Sequence, residues 1–234
     1  MQNVKNITQS KPIVMEYPDS TISEAYKTLR TNITMREFDN PIRVINIVSA
    51  NAQEGKTTTA VNLAASYGQL GRRTLLIDLD LRLPTVHKKL GLKNKYGITD
   101  VVAGKIALAN AVVQYEKTFD VLLAGTKIPF SSEFIQSNAL KNFIEKAREA
   151  YDVVIIDCPP INIVTDGLIA STYCDGTLIC VASNHDERKE IEKMRDALEA
   201  AKVNVLGVVM TRMPETKKYY YSHYSYRNKE NKRD

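Results

Sequence analysis

Ala50-Asn51-Ala52-Gln53-Glu54-Gly55-Lys56-Thr57 follows the spacing A/G-x-x-x-x-G-K-S/T. A loop of this kind binds phosphate when a strand precedes it and a helix follows. Backbone N–H groups from Ala50 to Thr58 would wrap the phosphates at the helix N-terminus. Lys56 would reach the β- and γ-phosphates, and the Thr57 hydroxyl would ligate Mg²⁺. Gly55 lets the backbone approach closely. A chance match in a glycine-poor loop is the competing reading, and the flanking elements make it weak.

Three carboxylates stand at the ends of apolar runs. Leu75-Leu76-Ile77-Asp78-Leu79-Asp80-Leu81-Arg82 supplies two, and Val153-Val154-Ile155-Ile156-Asp157 supplies the third. Ligands of parallel sheets sit at the carboxyl ends of the strands. Asp78, Asp80 and Asp157 should therefore converge where the loop opens. A hard cation such as Mg²⁺ takes oxygen ligands of this kind. One such Asp alone reads equally well as a cap or turn former.

The elements needed to position these groups are visible around them. Residues 43–49, 73–78, 119–124, 152–157, 177–182 and 203–210 are short apolar runs that suit buried strands. Residues 57–69 read as a helix closed by Gly71. Ser20 or Ser23 caps another helix running to about Arg36. Residues 132–150 read as one amphipathic helix with Phe134, Ile135, Leu140, Phe143, Ile144 and Ala147 on one side. Residues 186–201 read as a further helix. Apolar strands alternating with helices predict an α/β fold: a P-loop NTPase-like, mostly parallel β-sheet with helices on both faces, in a single domain. Residues 1–19 read as a flexible or draping arm, residues 20–216 as the domain, and residues 217–234 as a separate tail.

The composition narrows the classes. The chain has 234 residues, 44% hydrophobic and 25% charged, which excludes wholesale disorder. No apolar run approaches the ~18 residues of a membrane span. Residues 1–20 are polar and lack the apolar core of a secretory signal. Cys158, Cys174 and Cys180 form no C-x-x-C pair, so neither a disulfide framework nor a cysteine zinc site is expected. A reduced, cytoplasmic protein fits. The net charge of +5 is concentrated in the tail, where six basic side chains face two acidic ones. The rest is close to neutral, which argues against nucleic acid as a partner. His87, His185 and His223 have no metal-ligand spacing.

Taken together, Ile77-Asp78-x-Asp80-x-Arg82 and Ile155-Ile156-Asp157-x-Pro159-Pro160 after the P-loop resemble the bacterial tyrosine kinases of the exopolysaccharide and capsule type. The resemblance continues through Arg82-Leu83-Pro84-Thr85-Val86-His87, Tyr96-Gly97-Ile98-Thr99-Asp100-Val101, Ala124-Gly125 and Asp175-Gly176-Thr177. It spans about Ser23 to Met210 and extends to the tyrosine-rich end. It implies an ATP- and Mg²⁺-dependent protein tyrosine kinase. Lys56 would polarise the phosphates. Thr57 and Asp157 would hold Mg²⁺, with Asp80 supporting it through water. Asp78 would be the base or orienter for the tyrosine hydroxyl, and Arg82 would steady the Asp78–Asp80 turn or the phosphates. Phosphoryl transfer is mostly positioning and charge neutralisation, so Asp78 is expected to orient more than to deprotonate.

The resemblance also implies partners. These are a transmembrane adaptor that activates the kinase and recruits it to the inner face of the cell membrane, further copies of the chain in a homo-oligomer or ring, protein substrates, and a tyrosine phosphatase. The implied process is capsule or exopolysaccharide synthesis. Two positions depart from the family pattern. Its loop often has Pro-Gly where this chain has Ala52-Gln53, which predicts a shifted loop path. Its E-x-x-R-x-x-R stretch, linked to self-association, appears as Glu24, Lys27 and Arg30. Lys is the weaker bidentate partner, and a solvated charged face is the commoner fate of such spacing.

Tyr219, Tyr220, Tyr221, Tyr224 and Tyr226 fall within eight residues. In isolation such a tail reads as a sticky disordered segment, a membrane-facing patch, or a stacking surface for single-stranded nucleic acid. Attached to this site, it reads as a phosphoacceptor cluster. An 18-residue coil spans roughly 23 Å, enough to reach its own site or a neighbour's. The rival reading is a ParA/MinD-like switch ATPase that acts by nucleotide-dependent partner binding. Such proteins carry a second lysine at the head of the loop, where this chain has Asn51, Ala52 and Gln53. An iron–sulfur carrier would need the missing C-x-x-C.

Overall fold

The computed structural model describes residues 11–36, 41–183 and 188–214. The β-branched run Val44–Ser49 forms β1, buried at all six positions. Beside it lie β5 (Val153–Asp157) and β6 (Gly176–Ala182), both parallel and both buried throughout. Strands β2 (Thr74–Asp78), β4 (Phe119–Leu122) and β7 (Val205–Thr211) extend the sheet on its two sides. The short β3 (Val113–Tyr115) closes one edge, antiparallel to β4. The strand order is β3-β4-β2-β5-β1-β6-β7.

Strand side chains alternate between two cores, as a pleated strand requires. Val44, Val48, Leu75, Ile77, Val154 and Ile156 point to one face. There they meet α5 (Ile98–Val102), α6 (Leu108–Ala111), α7 (Ser131–Gln136), α8 (Asn138–Ala150), α9 (Asp166–Ser171) and α10 (Arg188–Ala200). Ile45, Ile47, Leu76 and Ile155 point to the other face, under α1 (Ile13–Glu16), α2 (Thr21–Met35), α3 (Lys56–Gly68) and α4 (Val86–Leu90). A sheet covered on both faces needs apolar residues at every strand position, which is why the runs showed no alternation.

Several elements differ from the sequence reading. The helix expected over residues 132–150 is two helices, α7 and α8. Ser137 is extended, and its side chain accepts the Leu140 N–H at 3.2 Å. A serine side chain competing for backbone groups favours a cap over helix interior. The segment 11–19, part of the stretch read as a flexible or draping arm, carries the short helix α1, which was not expected. Its Val14 is fully buried, and the Val14 N–H donates to Asn62 Oδ1 on α3 at 3.2 Å. The cap of α2 is Ser20, which accepts from Ser23 N–H at 3.2 Å. Strand β3 was not expected. It is joined to β4 through Glu116 and Lys117, both left-handed, a pair without the Asn-Gly signature of such turns.

Candidate active site

Strand β1 ends at Ser49, and α3 begins at Lys56. The loop between them places a 13-residue helix N-terminus beside the ends of β5 and β2. Gly55 caps α3 at φ +86, a left-handed position that glycine adopts freely. Gln53 is also left-handed, at φ +62. At the position where the family often has glycine, the glutamine therefore bears the steric cost of a left-handed backbone. Within the loop the buried Glu54 carboxylate accepts the Asn51 N–H at 2.8 Å. Lys56 Nζ donates to Ser49 Oγ at 2.9 Å. Ala50 is buried, Ala52 is exposed, and Thr58 accepts from Asn62 Nδ2 through its carbonyl at 2.8 Å.

The three carboxylates gather beside this loop. Asp78 and Asp157 face each other in the β2–β5 register. Thr57 Oγ1 donates to Asp157 Oδ2 at 2.6 Å and lies 2.8 Å from Thr85 Oγ1. Burial pushes the Asp157 carboxyl up to about 7 against the pull of Thr57 and Lys56. Asp78 is raised too, by burial first and by the Asp157 charge second. Its two oxygens accept N–H bonds from Asp80 at 3.3 Å and Val86 at 3.1 Å. Asp80 is half-buried, and its Oδ1 accepts the Leu83 N–H at 3.0 Å. Burial raises its carboxyl while Lys56 opposes the rise. Of the three, Asp80 alone stands open toward solvent.

These groups fit Mg²⁺. Asp157 Oδ1 is buried, and no hydrogen-bond partner for it exists among the described residues. The same carboxylate's other oxygen is already tied to Thr57. Among the described residues no three His, Cys, Asp or Glu side chains form a metal cage. Mg²⁺ needs none, since it binds through one or two carboxylates plus substrate phosphates.

Arg82 turns away from the loop. Its Nε donates to Asp166 Oδ2 at 3.0 Å, and its Nη2 donates to Ser132 Oγ at 2.9 Å. Ser132 Oγ donates in turn to Asp166 Oδ1 at 2.7 Å. Arg82 thus braces the turn after β2 against α9 and α7. Sequence reasoning missed Asp166, Ser132 and Thr85. The spacing of Thr165-Asp166 after Pro159-Pro160 was the available signal for the first.

Glu24, Lys27 and Arg30, which the resemblance links to self-association, lie on α2. Lys27 pairs with Glu24 at 2.6 Å and donates to the Pro18 carbonyl at 3.0 Å. Arg30 Nη1 donates to the Ser66 carbonyl at 2.5 Å, near the C-terminus of α3. In a single chain all three are engaged internally. Burial holds His87 below its ordinary pKa. The Cys158 thiol is raised by burial and is not poised as a nucleophile. His185, His223 and the tail tyrosines Tyr219 to Tyr226 lie outside the described residues. Among the described residues no helix is long and apolar enough to cross a membrane.

A family model described as an AAA domain matches residues 42–204. The tyrosine-protein kinase YwqD of Bacillus subtilis (strain 168) is 39% identical over 217 residues, covering 92% of this chain and 92% of that protein. The chimerical protein CapA2B2 superposes with a TM-score of 0.84 at 36% identity, over 87% of this chain and 90% of that one. The kinase domain of the Escherichia coli tyrosine kinase ETK gives 0.82 at 26% identity, over 92% and 87%.

Proposed function

The chain belongs to the bacterial tyrosine-protein kinases of the capsule type, and from that membership we propose that it transfers the γ-phosphoryl group of ATP to tyrosines of its own C-terminal cluster and of other proteins. The observation that carries the site assignment is the tie between Thr57 and Asp157 at 2.6 Å, beside the loop that starts α3. It joins a phosphate-binding helix start to a buried strand-end carboxylate.

The residues divide the work. The loop amides and the α3 N-terminus bind phosphate oxygens. Lys56 neutralises charge between the phosphates. Thr57 Oγ1 and Asp157 would hold Mg²⁺, with Asp80 reaching it through water. When bound, that cation neutralises charge on the β- and γ-phosphates. Asp78, which the resemblance offers as base or orienter of the hydroxyl, is buried and already accepts two backbone N–H groups, so in this reading it shapes the turn that carries Asp80 and the orienting role passes to Asp80. Asp80, the open carboxylate, orients the incoming hydroxyl and receives its proton. Arg82 fixes the far side of that turn through Asp166.

The phosphoacceptors in this reading are Tyr219, Tyr220, Tyr221, Tyr224 and Tyr226 in the tail 217–234. The described chain approaches the tail through β7, whose end abuts the P-loop: Thr211 Oγ1 donates to the Glu54 carbonyl at 2.9 Å. Residues 217–234 follow this corner in the sequence. The same reading includes a transmembrane adaptor that recruits the kinase to the inner membrane face, self-association through α2, an opposing tyrosine phosphatase, and a role in capsule or exopolysaccharide synthesis.

The test is mass spectrometry of the protein after incubation with Mg-ATP, beside a Lys56→Met control and with any adaptor segment included. Phosphate on Tyr219 to Tyr226 in the wild type alone is the expected result. ATP hydrolysis with an unmodified tail and unmodified protein substrates would replace the kinase by a switch ATPase.

A further inference from the structure

The end of β7 does more than lead into the tail. Thr211 is the register partner of Ala182 on β6, and two bonds anchor this corner to Ser183. Ser183 N–H donates to the Thr211 carbonyl at 2.9 Å, and Ser183 Oγ to the Arg212 carbonyl at 2.7 Å. From that anchor both side chains reach the P-loop. Thr211 Oγ1 donates to the Glu54 carbonyl at 2.9 Å, and Arg212 Nη2 to the Gln53 carbonyl at 2.5 Å. A Cβ added to Gly55 would meet Thr211 Cγ2 at 3.0 Å. Gln53 and Arg212, joined by one of these bonds, are both left-handed, at φ +62 and +54.

Two non-glycine residues in a sterically disfavoured conformation need surroundings that hold them there. The carbonyls of Gln53 and Glu54 are the groups that a P-loop must keep away from phosphate, because their oxygens would repel it. We infer that Thr211 and Arg212 are positioning residues for nucleotide binding: they pin these two carbonyls against β7, so that the loop amides remain aimed at the phosphates. Neither side chain needs to touch the nucleotide. The inference deepens the kinase reading, since it assigns residues to the same site. It also places the nucleotide loop in direct contact with the segment from which the tail departs.

The test is calorimetric titration of Mg-ADP into the full chain, with steady-state kinetics in ATP as a second measure. Arg212→Ala and Thr211→Val each remove one bond to a loop carbonyl, and each is expected to weaken Mg-ADP binding about fivefold to tenfold. The KM for ATP should rise by a similar factor, with kcat at saturation changed much less. Arg212 is exposed and Thr211→Val is nearly isosteric, so the nucleotide-free melting temperatures should stay close to wild type. The decisive arm is Gln53→Gly. Glycine holds the left-handed conformation unaided, so in that background Arg212→Ala should cost no more than about twofold. A purely structural role would not produce this rescue. Unchanged Mg-ADP affinity in both single variants, or an equal loss with and without Gln53→Gly, overturns the inference. A wild type that binds Mg-ADP but modifies no tyrosine would instead sink the kinase proposal and leave this one standing.

Discussion

Asp78 of β2 and Asp157 of β5 face each other across one rung of a parallel ladder, 0% and 1% exposed. Two like charges buried side by side are unfavourable without a counter-charge. The sheet nevertheless builds the pair, because two adjacent parallel strands end in register and both sequences place Asp at that end. Backbone N–H groups from Asp80 and Val86 satisfy Asp78. Asp157 has Thr57 on one oxygen, and its other oxygen lacks a hydrogen-bond partner among the described residues. The pair thus divides into a carboxylate that shapes a turn and a carboxylate that we propose as the cation ligand.

Asp157→Asn separates these roles. It removes the proposed cation ligand while keeping the size of the side chain and an oxygen for Thr57. Tyrosine phosphorylation should fall about 100-fold or more. The melting temperature in EDTA should hold or rise, because a buried charge is gone. The rise in melting temperature that Mg-ATP gives the wild type should largely disappear. A variant that melts lower in EDTA would show that Asp157 serves mainly to hold the strand ends together.

The same buried carboxylates predict a pH dependence. Burial raises Asp157 to about 7 and raises Asp78 as well, from an ordinary value near 3.8. The folded chain therefore binds these protons more tightly than the unfolded chain does. Their contribution is fully present below about pH 4 and is lost as pH climbs toward about 7. In EDTA, wild type should lose stability relative to Asp157→Asn across that window. Mg²⁺ binds the ionised carboxylate, so protection by Mg-ADP should grow with pH over the same range. Thermal melts of the two proteins, with and without Mg-ADP, read both trends. Parallel curves would refute the assignment.

Much of this site was legible in the residues alone. The P-loop spacing, the three strand-end carboxylates and the strand runs carry periodic or motif signals that local chemistry fixes. What escaped depends on contacts distant in sequence. Arg82 could be placed on the turn or on the phosphates, and the choice was made by Ser132 and Asp166, 50 and 84 positions on in chain order. Thr211 and Arg212 lay just past the strand expected over residues 203–210, and no local signal tied them to the loop that their side chains reach. The break at Ser137 is a local signal overlooked: a serine three residues before Leu140 is a cap, and the apolar periodicity on both sides disguised it. The glycines at 97 and 125 could be quoted as a family likeness, but nothing in the sequence said what they avoid.

Those glycines avoid each other's backbone. A Cβ at Gly97 would lie 2.0 Å from the Leu123 carbonyl oxygen, and one at Gly125 would lie 2.4 Å from Asp100 Oδ2. Gly125 is also left-handed, at φ +82. The close approach lets Asp100 accept from Gly97 N–H at 3.2 Å and Thr126 N–H at 3.0 Å, knitting α5 to the end of β4. Gly125→Ala should therefore cost at least about 2 kcal/mol through strain and clash together. Gly104→Ala is the control, because it shares a left-handed φ of +70 and has nothing within 4 Å. It should cost about 1 kcal/mol, from conformation alone. Denaturant melts of both compare the terms, and equal losses would exclude the packing argument.

Arg82→Ala should show what the brace behind Asp80 contributes. Asp166 is 1% exposed and would lose its cationic partner while keeping Ser132. A buried carboxylate stripped of one charged donor costs about 1–3 kcal/mol. The turn carrying Asp80 would loosen, so kcat should fall about tenfold or more with nucleotide affinity nearly intact. Arg82→Lys should recover little, since one ammonium cannot serve Asp166 and Ser132 in the planar geometry of a guanidinium. A loss confined to ATP affinity would instead move Arg82 onto the phosphates.

From its charge we propose that the tail acts as a switch on this site. Residues 217–234 carry six basic and two acidic side chains, a net +4. Each phosphotyrosine contributes about −1.5 to −2, so two phosphates roughly cancel the tail and five reverse it. In that proposal an unmodified tail is attracted to the acidic strand ends and to nucleotide phosphates, while a heavily modified one is repelled. Replacing Tyr219, Tyr220, Tyr221, Tyr224 and Tyr226 with Phe should abolish tail modification, preserve transfer to other proteins, and hold the chain in its unmodified assembly state. Light scattering at low and high salt compares that variant with the fully phosphorylated wild type. Phosphorylation should shift the assembly toward smaller species, and the difference should shrink at high salt, where exposed charges are screened. Identical masses for the two proteins at low salt would refute the switch and leave the tyrosines as acceptors without influence on assembly.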